Sequence, residues 1–143
     1  MPVWVRVAMR KPGESEEIEA SAKVNTGFTI GPLPFIRLPR ALAERLGFDV
    51  ERAPLLRGIA DAAGRSLPVR RLGPIEVRVI VPDRETAWIR AIAIYTGAPS
   101  VLLNDVLTEE LKVVPERPAS GLWRFSDEGV EELRRSAEPE YYR

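Results

Sequence analysis

The chain has 143 residues, 45% hydrophobic and 29% charged, and 21 basic residues balance 21 acidic ones to a formal net charge of zero. That suits one globular domain with its own core, and it supplies no overall field to gather polyanions or acidic membranes. The chain has no Cys and no His, which excludes disulfides, thiolate zinc sites and every catalytic triad built on His, and leaves carboxylate chemistry or binding.

Val3, Val5, Val7 and Met9 alternate with Trp4, Arg6, Ala8 and Arg10, the period of a strand. Turn chemistry at Lys11 to Glu14 leads into a second alternation, Ile18, Ala20, Ala22 and Val24, so a hairpin is expected. After Asn25-Thr26-Gly27-Phe28-Thr29 and a loop rich in Gly and Pro, Phe35 to Leu38 reads as a short strand. Pro39 suits the first turn of a short helix that ends at Gly47. Further strands are expected over Ala53 to Ala60, Leu67 to Leu72, Ile75 to Val81 and Trp88 to Tyr95, separated by Asp61 to Gly64, Gly73-Pro74 and Pro82-Asp83. Val101 to Leu103 is a short apolar run, Asn104 can cap a brief helix through Leu111, and Val113-Val114 is extended. Leu122 to Phe125 reads as a strand and Ser126 to Ser136 as an amphipathic terminal helix with Val130 and Leu133 inward. Glu140 to Arg143 is expected to fray.

Short strands and few helices predict a mostly β, barrel-like domain. No Gly-x-Gly-x-x-Gly and no Gly-rich Lys-Ser/Thr loop is present, so nucleotide cofactors lack a site. No cofactor and no metal are expected. Met1 to Gly13 holds no apolar stretch of signal-peptide type, and no run approaches the roughly 20 apolar residues of a membrane helix. The expectation is therefore a cytoplasmic protein without a membrane partner.

Ala22-Lys23-Val24-Asn25-Thr26-Gly27 resembles the active-site strand and loop of retroviral-type (retropepsin-like) aspartic proteases, with Asn in place of the catalytic Asp. Phe35 to Gly47 is similar to the strand, Pro and short helix that follow that loop in single-lobe archaeal and bacterial members. Ala60-Asp61-Ala62-Ala63-Gly64 falls where those members carry the flap hairpin. Ser100 to Leu107, followed by Leu111 to Pro115, is similar to their Leu-Leu-Gly-x-Asp segment, helix and last strand, with Leu103 where the family has Gly. The resemblance implies a single-lobe acid-protease β-barrel with one or two short helices over residues 1–126, followed by a C-terminal helix and tail over 127–143.

The resemblance also implies roles. Asn25, Thr26 and Gly27 take the catalytic positions, Thr26 bonding the counterpart loop and Gly27 letting backbone approach closely. Phe28, Ala60, Asp61, Gly64 and Leu103 surround the substrate position. Such proteases need two facing carboxylates that share a proton, one activating water and one acting as acid. One chain supplies one loop, so a two-fold homodimer is implied. Asn25 stays neutral and cannot take a proton from water, so peptide hydrolysis by the usual route is disabled as written. Two readings follow: an inactive homologue that holds a peptide or protein ligand under its flaps, or an active dimeric endopeptidase whose natural residue 25 is Asp.

Read alone, Asn25-Thr26-Gly27 is also an ordinary strand-to-turn connection, and Asp61 an ordinary turn residue. Asp105 reads as a structural acceptor or helix-start charge. Arg57, Arg65, Arg70 and Arg71 are diluted by Glu51, Asp61 and Glu76, so nucleic acid is not an expected partner. Trp4, Trp88 and Trp123 read as packing residues.

Overall fold

A computed structural model describes residues 2–24, 31–56, 64 and 68–143. Strand β1 (Trp4–Arg10) and strand β2 (Ile18–Val24) form the expected antiparallel hairpin, with Val5 opposite Ala22 and Val7 opposite Ala20. Strand β3 (Phe35–Arg37) leads into helix α1 (Arg40–Arg45), whose N-cap is Pro39. Gly47, at φ +88, turns the chain out of the helix, and its N–H bonds the Glu44 carbonyl, a left-handed stop that glycine adopts without strain.

The short strand β4 (Leu55–Leu56) pairs with β5 (Val69–Val79), and β6 (Ile89–Tyr95) pairs with β5 in turn. Two strands were expected on either side of Gly73-Pro74, but β5 runs through as one. The register shifts between Arg71 and Gly73, and Gly73 takes φ +143 there. Such an irregularity absorbs a residue that cannot donate to the ladder, so Pro74 does not end the strand. Strand β7 (Val101–Leu103), helix α2 (Asp105–Glu110), strand β8 (Val113–Arg117) and strand β9 (Leu122–Phe125) follow.

The sheet order is β1-β2-β7-β3-β6-β5-β4, and β1 also pairs with β5, Val7 opposite Val79. That pairing closes a barrel of β1, β2, β7, β3, β6 and β5, with β4 attached outside. The fold is thus a mostly β, single-lobe closed barrel with two short helices; the strand periodicities indicate the mostly β, barrel-like class, and the resemblance implies the single lobe. Its interior holds Val5, Val7, Met9, Ile36, Leu42, Ile75, Val77, Leu103 and Leu107, all buried.

The terminal helix expected over Ser126 to Ser136 is not formed. Those residues make turns and then strand β10 (Arg134–Arg135), which pairs with β9 in a separate three-stranded sheet with β8. Val130, expected inward, is 62% exposed. Arg134 instead reaches Glu128 (3.1 Å) and the distant Asp83 (2.6 Å), and its guanidinium lies over the Phe125 ring; the contact with Asp83 is one that a helical period cannot register. The end of the chain is also tied down rather than frayed. The Ala137 N–H bonds the Trp4 carbonyl, and the Tyr142 N–H bonds the Pro99 carbonyl. Tyr141 packs edge-on against Trp4. Glu140 accepts from the Ser21 N–H and the Arg6 guanidinium. Trp4 and Trp123 are buried as packing residues, while Trp88 lies just before β6 beneath the guanidinium of Arg10. No helix among the described residues is long and apolar enough to cross a membrane.

Candidate functional site

The motif residues Asn25, Thr26, Gly27 and Phe28 lie outside the described residues, as do Ala60 and Asp61. The strands that flank them are described. Strand β7 is inserted between β2 and β3, parallel to the first and antiparallel to the second. Val24, the last residue of β2, is in register with Leu103, the last residue of β7. Ile36 of β3 is in register with the same Leu103. The chain therefore leaves β2 and enters β3 at the one end of the barrel where β7 also stops.

Leu103 is completely buried there, within the barrel core. The Leu103 side chain is thus housed as core packing between β2 and β3. The next residue, Asn104, does more than the expected capping. Its Oδ1 accepts from the Leu107 N–H (3.0 Å), capping α2, and also from the Phe35 N–H (2.9 Å). Its Nδ2 donates to the Leu33 carbonyl (2.9 Å), and its own N–H bonds the Phe35 carbonyl. Asn104 is wholly buried, and one uncharged amide clamps the entry to β3 onto the start of α2. Buried polar groups of this kind are retained only when satisfied. Asp105 occupies the first turn of α2, where a carboxylate complements the helix dipole.

The second half of the expected site is the hairpin that contains Gly64. Leu56 and Val69, which bracket it, are paired across β4 and β5. Gly64 itself is exposed, has φ +80, and would meet no atom within 4 Å at an added Cβ. A left-handed residue in open space suits the tip of a turn. Phe35, Val69 and Ile94 form one buried cluster with Leu56 and Ile92 packed against it. The base of the hairpin and the exit of the motif loop therefore share a single apolar contact surface. Leu33 and Leu55, each next to one of these segments, are large apolar side chains left 46% and 56% exposed.

Sequence reasoning missed Arg37. Its Nε and Nη2 donate to the Ser100 carbonyl (3.3 and 3.1 Å), and Nη2 also donates to Ser100 Oγ (2.9 Å). Burial lowers the affinity of this guanidinium for its proton, because a charged group loses water without gaining an anion. Nothing in the local pattern of Phe35-Ile36-Arg37 marks it, since β7 supplies its partner. Of the arginines read as a diluted patch, Arg57 and Arg65 lie outside the described residues, Arg71 is exposed, and Arg70 donates to the Ala53 carbonyl. Among the described residues no acidic cluster has the grouping of a metal site.

No protein-family model matches the chain, and no curated protein sequence matches it. Among solved structures, the retroviral protease-like domain of Ddi1 from Leishmania major is similar to this chain. The two are 13% identical over 90% of this chain and 92% of that one, with a TM-score of 0.46. An identity of that size transfers no residue roles from one chain to the other.

Proposed function

We propose that the chain is a retropepsin-like protein that works as a homodimer, binds an extended peptide or protein segment in a cleft under its flaps, and does not cleave it as written. The observation that carries this reading is the convergence of Val24, Leu103 and the entry to β3 at one end of a single-lobe barrel. The Asn25-Thr26-Gly27 segment begins immediately after Val24. A lobe with one such segment needs a second copy to complete a pair, and a two-fold axis supplies it.

The chemistry follows from the residue types. Two Asn25 amides facing one another can donate and accept hydrogen bonds, but neither can remove a proton from water. Base and acid roles, each worth about 10²–10⁴-fold, are both lost. Amides still suit recognition, because the carbonyl and N–H of a bound peptide can be paired without chemistry, and an extended ligand can add as a strand to a sheet edge. Gly64, exposed in the connection between β4 and β5, and the exposed Leu33 and Leu55 beside the two segments suit such a ligand.

The test is the Asn25→Asp variant, assayed for hydrolysis of a mixed peptide library between about pH 3 and 7, with its mass measured by ultracentrifugation. Dimer formation by both proteins, with cleavage gained only in the variant, is the expected result. Cleavage by the Asn25 protein itself would overturn the inactive assignment. A monomer at high micromolar concentration would overturn the dimer.

A further inference from the structure

We infer that Arg37, held by Ser100, is an anchor for a carboxylate carried by the bound peptide, so that the preferred ligand is an acidic one. This rests on the peptide-binding reading above for its ligand, but the anchor itself rests on geometry. Arg6, Arg10, Arg78, Arg84, Arg124 and Arg134 each meet a carboxylate within the fold. Arg37, like Arg70, forms no ion pair with any described residue, and what sets it apart is that its three hydrogen bonds all go to one neutral residue, Ser100.

Those bonds use Nε and Nη2, while Nη1 has no partner among the described residues. Ser100 is only 6% exposed, so the clamp is part of the scaffold and fixes the plane of the guanidinium in advance. A pre-oriented, half-desolvated arginine without a counter-ion suits a planar carboxylate, because charge-assisted bonds to such a group are short and strong. Its place on the barrel matters as much. Phe35 and Arg37, two apart on β3, project to the same face, and Arg37 is in register with Ile94. Ile94 belongs with Phe35 and Val69 to the cluster at the hairpin base. The anchor therefore stands beside the buried apolar cluster at the hairpin base, which holds its strand in place.

The test has two arms on the full chain. In the first, the arginine Nε–H resonances are followed by NMR during titration with N-acetylglutamate amide, its glutamine twin, acetate and inorganic phosphate. A saturable shift of Arg37 with the two carboxylates and none with the glutamine twin is expected. An equal response to the glutamine twin, or no response to any anion, would overturn the anchor, and a preference for phosphate would overturn the carboxylate assignment. In the second arm, peptides from an array are compared as Glu and Gln pairs. The Glu member should bind at least tenfold better, Arg37→Gln should reduce the ratio to one, and Arg37→Lys should restore part of it, with folding of each variant checked by thermal unfolding. Equal binding within pairs, or a ratio that survives Arg37→Gln, would overturn the acidic preference. An Arg37 shift with glutamate amide, but no binding of any peptide, would keep the anchor and overturn the peptide cleft.

Discussion

Val24 and Leu103 stand opposite one another at the ends of two parallel strands, so β2 and β7 stop at the same end of the barrel. Leu103 is fully buried. Placing small residues there should therefore cost stability. Leu103→Ala is expected to lower the unfolding free energy by about 2–5 kcal/mol, the range for leucine truncation in a core that cannot collapse. Leu103→Gly should cost more, because glycine also weakens a strand. Urea unfolding at neutral pH measures both, and a loss under about 1 kcal/mol for Leu103→Ala would mean that the site is loosely packed.

Asn104 supports two elements through one amide. Asn104→Ala removes the cap of α2 and leaves the buried Phe35 N–H without its acceptor. A loss of roughly 2–4 kcal/mol is expected from a missing cap together with an unsatisfied buried donor. Asn104→Ser keeps a capping oxygen on a side chain too short to serve Leu33 and Phe35 together, and should recover only part of the loss. Thermal unfolding of the three proteins orders them, and Ser performing as well as Asn would show that the contacts to β3 contribute nothing.

Glu140 secures the end of the chain to β1 and β2. Burial alone would push its carboxyl up, but bonds from the Ser21 N–H, Arg6 and Tyr142 outweigh it and hold the carboxyl below its ordinary value. A group with a depressed folded-state pKa stabilises fully above its unfolded value, about 4.3 for Glu, and loses that contribution as pH falls through the folded value. The tail should therefore release on acidification. Hydrogen exchange at the Ser21 and Ala137 amides reports it, and Glu140→Ala should raise exchange at both at neutral pH by tenfold or more. Unchanged protection would show that Tyr141 and Tyr142 hold the tail without the carboxylate.

A second acid-sensitive contact lies in the turn after β9. Asp127 receives a two-pronged bond from Arg84 (2.7 and 2.8 Å) and a longer one from Lys112. The Arg84 hydrogen bonds, chiefly, keep its carboxyl well below the usual range. The same sign applies, so its contribution is present above about pH 3.9 and disappears as pH falls toward the folded value. Between pH 5 and 2 the wild type should lose more thermal stability than Asp127→Asn. Because these groups face solvent, the difference should shrink in 1 M salt. Parallel acid limbs for the two proteins would remove Asp127 from the account.

Much of the barrel was legible because strand periodicity is a local signal. Val3, Val5, Val7 and Met9 alternate in sequence and are all buried, and Asn104 stood at a capping position before α2. Trp4 reads as a packing residue, but its partner Tyr141 was not legible, since it comes from the far end of the chain. The Ser126 to Ser136 segment was misread for a related reason. Its apolar spacing suggests a helix, yet Arg134 and Glu128 are committed to ion pairs that only the folded barrel brings near. The candidate motif was legible as a run of residue types, whereas Arg37 and Ser100 were not, because one lies on β3 and the other precedes β7. Their meeting is a property of the inserted strand.

The pairing of Val7 with Val79 sets a sequence of events for folding. Strand β1 can zip to β2 as soon as both have left the ribosome, but its other edge stays bare until β5 has been made. Contacts so far apart along the chain cost loop entropy before they repay it, which slows the final step. The nascent hairpin should accordingly be the species most exposed to wrong partners, edge to edge with another copy, until the ring is sealed.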